Sequence, residues 1–175
     1  MITIDAFKRD LKQAIKSVPK VMGTASENFF KDNFKRQGFS GESAWIKRKD
    51  SDFLTKKKRE SGILIKTGSL RRSIRIIEKT ANGVRVGSTL PYAEIHNNGG
   101  TIIQKPTWRQ RMFFSHQSDK LRLLGNHKAA NKWAAMSTAK RLVIPIPQRK
   151  FIGDSKRLQA HIKYVLEREL FESLK

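Results

Sequence analysis

Apolar residues recur with a helical period at the two ends of this chain and with a period of two only between them, and that segregation constrains the fold most. From Asp5 to Val18, the residues Phe7, Leu11, Ala14, Ile15 and Val18 fall at offsets of 4, 3, 1 and 3, one face of an α-helix with Asp5 as its N-cap. Pro19 is expected to interrupt this helix, because a proline in a helix interior removes a hydrogen bond and clashes with the preceding turn. Ser17 then caps a second helix with Pro19 in its first turn, carrying Val18, Met22, Ala25, Phe29, Phe30 and Phe34 and stopping near Gly38. Two helices or one kinked helix satisfy this pattern. At the other end, Asp154 or Ser155 caps a helix whose Leu158, Ile162, Val165, Leu166 and Leu170 keep helical spacing.

Strand chemistry begins after Gly62. Alternation predicts an antiparallel hairpin, Ser73–Lys79 against Gly83–Gly87, joined through Ala81-Asn82-Gly83. Asn-Gly suits a two-residue turn with positive φ. Leu90–Asn97 reads as a short helix or corner closed by Asn98-Gly99-Gly100, with strands at Thr101–Gln104 and Leu142–Ile146. Between those strands, Lys105–Arg141 carries helical pieces broken at Gly125. A structureless loop of that length inside a domain is uncommon, so the stretch is expected to be an ordered or partner-ordered insertion. Helices, then strands, then a helix predict an α+β fold: terminal helices packed on a small, mostly antiparallel β-sheet, with a long insertion between two strands.

The 175 residues suit one domain. Its expected segments are a helical part at 1–38, a basic loop at 39–62, sheet at 63–104 and 142–153, the insertion at 105–141 and a C-terminal helix at 154–175. In the loop, Trp45 and Phe53 are expected to pin the chain to the body between the basic clusters Lys47–Lys49 and Lys56–Arg59, with a mobile basic arm as the alternative.

Charge narrows the partners. Lys and Arg number 37 against 15 Asp and Glu, a formal net charge of +22, where a small domain more usually carries about 2–8. Such an excess repels itself and calls for an anionic partner or acidic neighbours. The N-terminal part is nearly balanced. From Trp45 to Arg85 there are 13 basic residues against 4 acidic, and from Gly100 to Arg157 there are 13 against 2. Arg71 and Arg72, at the entrance of the first strand, and Arg149 and Lys150, after the last, are the candidates for facing DNA or a partner, where cations give sequence-independent, salt-sensitive affinity. Trp108, Phe113, Phe114 and Trp133 lie among the insertion's cations. They are a base-stacking platform or, as the favoured reading, the insertion's own core.

No cysteine is present, so disulfides and thiolate metal sites are excluded. The N-terminus has no secretory h-region, and no window approaches the ~20 apolar residues of a spanning helix, so no membrane is expected. The histidines at 96, 116, 127 and 161 are spaced by 20, 11 and 34, unlike a helical metal pair. His96 is expected to hydrogen-bond a backbone group rather than bind a metal. Glu94 stands two residues from His96, a spacing that does not face side chains together on a helix. No nucleophile elbow, P-loop or dinucleotide fingerprint occurs. The chain is therefore expected to have no catalytic residues, no cofactor and no metal.

Three phrases carry a resemblance. They are Leu64–Ile74 (LIKTGSLRRSI), Pro91–Gly100 (PYAEIHNNGG) and Pro145–Gly153 (PIPQRKFIG), with Gly83-Val84 and Val86-Gly87 between them and Trp45 with Arg48 before them. In this order they resemble the phage virion morphogenesis (tail completion) family, with Lys150 where that family often has a second proline. The resemblance implies a structural virion protein that completes the phage tail or neck and joins the tail to the capsid connector, as a six-fold ring around the DNA channel. It implies assembly in the bacterial cytoplasm, and partners among connector or head-closure and tail-tube or terminator proteins, with genomic DNA in the channel. The matched residues would be structural: Gly68, Gly83, Gly99, Gly100 and Gly153 for turns, Tyr92 and Phe151 for packing, His96 for the corner, Pro147 to end a strand. The rival reading is a stand-alone basic nucleic-acid-binding protein; a hydrolase has only Glu94 and His96 behind it.

Overall fold

One helix organises the rest of the chain. The computed structural model describes residues 4–41, 43–47 and 62–173. Helix α1 runs from Ile4 to Arg36, 33 residues, or about 50 Å at 1.5 Å per residue. Of the two alternatives, two helices or one, the chain forms one: the helix continues through Pro19, and Ser17 caps nothing, its Oγ donating to the Ala14 carbonyl at 2.8 Å. The carbonyl that Pro19 leaves without its helical donor belongs to Ile15, an exposed residue. The helix is meanwhile held from outside, by β3 and β4 along one stretch and by the C-terminal helix along another. Tertiary packing overrides the local cost. Asp5 lies inside the first turn rather than at the cap, where its charge still suits the positive end of the helix.

A short hairpin follows, β1 (Gly38–Phe39) against β2 (Ser43–Ala44), in a stretch expected to be irregular. It turns the chain so that Trp45 is buried, as expected. The Trp45 ring meets Phe34 edge-on at 5.3 Å and its Nε1 donates to the Lys150 carbonyl at 2.7 Å. Phe53, Arg48 and the Lys56–Arg59 cluster lie outside the described residues.

The remaining elements are α2 (Ser69–Arg72), β3 (Ile74–Lys79), β4 (Val84–Ser88), α3 (Ala93–Asn98), β5 (Gly100–Gln104), α4 (Trp108–Leu123), α5 (His127–Thr138), β6 (Leu142–Ile146) and α6 (Lys156–Ser173). This is the expected α+β arrangement, with helices at both ends and antiparallel strands between. Among the described residues the strands form three two-stranded sheets, β1–β2, β3–β4 and β5–β6. A two-stranded ribbon is barely stable alone, so each depends on what it packs against. For β3–β4 that support is α1. Gly23 sits mid-helix because a Cβ there would come within 2.5 Å of Ile76 Cδ1 and 2.9 Å of Val84 Cγ2. A glycine costs roughly 1 kcal/mol against alanine in a helix, and here it permits the close approach of helix and hairpin.

The main core gathers Phe29, Phe30 and Phe34 of α1 with Phe39, Trp45, Leu70, Ile74, Ala93, Phe151 and Leu158. Phe34, Ile74 and Phe151 are wholly buried. Ser155 caps α6, its Oγ accepting from Leu158 N at 3.1 Å, while Asp154 takes the Gln159 amide.

The insertion lies between β5 and β6, as expected, and consists of two packed helices with Gly125 at the break. Thr107 and Gln110 form a reciprocal capping box on α4, and Asn126 caps α5. A second core of Phe114, Trp133 and Leu142 holds helices and ribbon together. The four aromatics of this stretch therefore divide: Phe114 and Trp133 are core, and Trp108 and Phe113 are exposed.

The β3–β4 turn departs from expectation. Residues 80–83 form the loop, closed by Thr80 N donating to the Gly83 carbonyl at 2.9 Å, and Gly83 does not occupy positive φ. A Cβ at Gly83 would meet nothing within 4 Å. Gly83→Val is therefore expected to change stability by no more than about 0.5 kcal/mol. A urea melt that shows a much larger loss would restore the strained two-residue turn.

Candidate functional site

The phrases that stand far apart in sequence meet around residues 148–152. Helix α3 ends at Gly99, whose φ of 74° turns the chain into β5. That turn brings the α3 C-terminus against the segment that follows β6. The His96 carbonyl accepts from Arg149 N at 2.9 Å, and Asn97 Oδ1 accepts from both Phe151 N and Ile152 N at 2.9 Å. From the other side, Asn33 Nδ2 donates to the Phe151 carbonyl and Asn33 Oδ1 accepts from Ser40 N, each at 3.1 Å. Asn33 is buried, so these bonds satisfy backbone groups that water does not reach. The segment is thus gripped by α1 on one side and α3 on the other.

Beside this junction opens a cleft of about 300 Å³, lined by Ile63, Leu64, Lys66, Thr67, Leu70, Tyr92, His96 and Arg149. All of these residues but Ile63 belong to the matched phrases. Burial pulls the His96 pKa below its ordinary value, and the neighbouring Arg149 charge lowers it further. The expected side-chain bond from His96 to backbone is not made. Its Nδ1 is buried without a hydrogen-bond partner, and it is the backbone carbonyl of His96 that ties the corner.

The four candidate basic residues are not presented alike. Arg149 is only 9% exposed and its Nε donates to the Ile46 carbonyl at 3.2 Å, so it anchors the segment after Trp45 instead of facing outward. Lys150 lays its Nζ over the Phe39 ring, 4.4 Å from the centroid. Arg71 is half-buried with its Nε enclosed, and Arg72 alone of the four is exposed. Cationic side chains are seldom buried unless paired; for Arg149 and Lys150 the Ile46 carbonyl and the Phe39 ring supply the pairing.

The structural motif residues are placed as follows. Gly68 precedes α2 with φ 70°, Gly100 and Gly153 also take positive φ, and Pro147 follows the last residue of β6. Phe151 is wholly buried, whereas Tyr92 is 42% exposed, its ring edge-on to His96 at 6.2 Å on the rim of the cleft and not in the core. Glu94 is exposed. Asn33, Ser40 and Asn97 carry much of the junction and went unnoticed in the sequence. Asn33 interrupts the apolar face of Phe29, Phe30 and Phe34, which was the available signal. Among the described residues, no group of three or more His, Asp or Glu is placed to hold a metal ion, and no helix is long and apolar enough to cross a membrane.

The family model of the phage virion morphogenesis family matches residues 4–171. The chain belongs to the phage virion morphogenesis family. The match takes in the terminal helices as well as the motif block, so α1 and α6 are part of what defines this virion protein. No curated protein and no solved structure gives a significant match.

A pH dependence follows for this family member from His96. Its folded pKa lies below the unfolded value of about 6.5, so the unfolded chain binds the proton more readily. The contribution is fully present above that value and is lost as pH falls through the lower folded pKa. Thermal melts from neutral to mildly acidic pH should show the wild type losing stability more steeply than His96→Gln. Parallel curves would mean that the His96 environment is unchanged on folding.

Proposed function

We propose that this virion protein completes the phage tail or neck and joins the tail to the capsid connector, as a hexameric ring around the DNA channel and without catalysis. One observation carries the reading: the phrases that carry the resemblance, gripped by Asn33 of α1, build a bonded scaffold, not a reactive constellation. The backbone of 148–152 is held by Asn33, His96 and Asn97, and the phrase aromatic Phe151 is sealed in the core. Glu94 faces solvent, and His96 has no acid or nucleophile bonded to it. A protein that holds neighbours in register has use for such a scaffold. Its neighbours would be connector or head-closure proteins on one side and tail-tube or terminator proteins on the other, with DNA in the channel.

The test is imaging. Negative-stain micrographs and mass photometry of the purified protein, with a density map of the intact virion neck, should show annular particles and a ring at the head–tail junction. Its location elsewhere in the virion would overturn the reading. The cationic insertion favours a second reading, a stand-alone nucleic-acid-binding protein. That one predicts duplex binding by a monomer or dimer with a steep salt slope, and no copy of the chain in purified virions.

A further inference from the structure

We propose that the arm formed by β5, α4, α5 and β6 docks on an acidic protein surface that presents an apolar side chain to the groove beside Trp108 and Met112. The proposal rests on the virion reading for where the partner is found, and on the arm itself for what the partner looks like.

Two independent features of residues 100–146 have to be explained together. The first is charge: nine Lys and Arg stand against Asp119 as the sole acid, and all nine but Arg111 are exposed. The second is exposed apolar surface. Trp108 is 68% and Met112 63% exposed, one helical turn apart on α4, so they share a face. On the ribbon, Ile103 and Val143 are direct cross-strand partners, exposed by 62% and 65%. Monomeric proteins seldom leave large apolar side chains clustered in water unless something covers them.

The groove is already formed. It measures about 370 Å³ and is lined by Trp108, Arg111, Met112, Ser115 and Ser137. The Arg111 guanidinium fixes its wall, donating to the Ser137 carbonyl at 2.7 Å and the Ala139 carbonyl at 2.9 Å. With Arg111 committed to tying α4 to the end of α5, the walls need no rearrangement to receive a side chain.

Charge chooses the occupant. A second copy of the arm would bring nine cations against nine, which repels. Duplex DNA would answer the cations but offers no apolar group for Trp108 and Met112. An amphipathic acidic segment answers both, its carboxylates meeting the surrounding Lys and Arg and one apolar side chain filling the groove.

The experiment uses the full chain at physiological ionic strength, about 0.15 M, with three labelled probes followed by anisotropy. They are a Leu/Glu helical peptide of about 18 residues, or five turns, with leucine on one face; the same peptide with serine for leucine; and a DNA duplex of similar charge. The Leu/Glu peptide should bind at least about tenfold more tightly than the serine peptide, a difference of about 1.4 kcal/mol. The double variant Trp108→Ala/Met112→Ala should abolish that preference, and Met112→Glu should weaken peptide binding by repulsion. Both sites are exposed, and circular dichroism melts would confirm folding. Equal affinity for the two peptides, wild-type binding by the variants, or tighter binding of the duplex would each overturn the proposal. Immunoblots of purified particles separate the two readings. A chain present in virions whose arm ignores the peptide sinks the docking surface alone, and a chain absent from virions sinks the virion reading.

Discussion

Replacing Asn33 with leucine is expected to lower the melting temperature by roughly 5–20 °C, although leucine is the better helix former and the more apolar residue. Asn33 is 1% exposed, and its amide serves two backbone groups from distant parts of the chain, the Phe151 carbonyl and Ser40 N–H. Leucine would leave both enclosed without partners, at about 1–3 kcal/mol each. For a chain of this size, each kcal/mol shifts the midpoint by roughly 2–4 °C. Asn28→Leu is the matched control on the same helix, because Asn28 is exposed and its replacement should cost no more than about 0.5 kcal/mol. Thermal and urea melts of the two variants decide the matter. Equal melting of Asn33→Leu and wild type would mean that the grip of α1 on residues 148–152 does not hold the core together.

The contrast between Asn28 and Asn33 shows which parts of this fold are legible in sequence. Periodicity reads which face of a helix is apolar, so the apolar faces of α1 and α6 and the β3–β4 hairpin follow from spacing, whereas the insertion shows in sequence only helical pieces broken at Gly125. It does not read what a polar residue on that face is bonded to. Asn33 falls among Phe29, Phe30 and Phe34, and its partners are 7 and 118 residues away. Pro19 leaves two helices and one helix both open for a related reason. The local rule counts a lost hydrogen bond, whereas the outcome depended on packing by β3, β4 and α6, none of which is visible within the helix.

The candidate site was legible as a set of phrases but not as roles. Matching PYAEIHNNGG and PIPQRKFIG placed both halves of the junction, while the assignment of single residues failed where charge was taken for exposure. Arg149 and Lys150 follow a proline-rich strand exit and look like surface, yet the Ile46 carbonyl and the Phe39 ring receive them. Those partners come from the hairpin after α1 and the residues just past it, a stretch whose short strands carry no period. Tyr92 packs against the His96 ring, but at the cleft rim, 42% exposed, whereas Phe151 packs in the core. Gly83 shows that Asn-Gly marks the turn without specifying its type, since the loop spans four residues and leaves that glycine at ordinary φ.

Gly99 is the glycine for which substitution should be severe. Its φ of 74° with ψ of 176° lies in a region essentially confined to glycine, and holding another residue there costs about 1–3 kcal/mol before any contact is counted. A Cβ would also meet Gln148 N at 2.9 Å and Gln148 Cα at 3.1 Å. Those atoms are backbone, so no rotamer change relieves the contact. Relief requires the 148–152 segment to move away from α3, which would strain the bonds from Arg149 N to the His96 carbonyl and from Phe151 and Ile152 N–H to Asn97. Gly99→Val is therefore expected to destabilise the protein by more than about 3 kcal/mol, combining backbone strain with loss of buried hydrogen bonds. In a phage lacking its own copy, a plasmid carrying Gly83→Val should restore plaques and one carrying Gly99→Val should not, although both place valine at a glycine of the same motif block. Restoration by both would show that the close approach of α3 to Gln148 is dispensable, and that the family's corner does not set the position of residues 148–152.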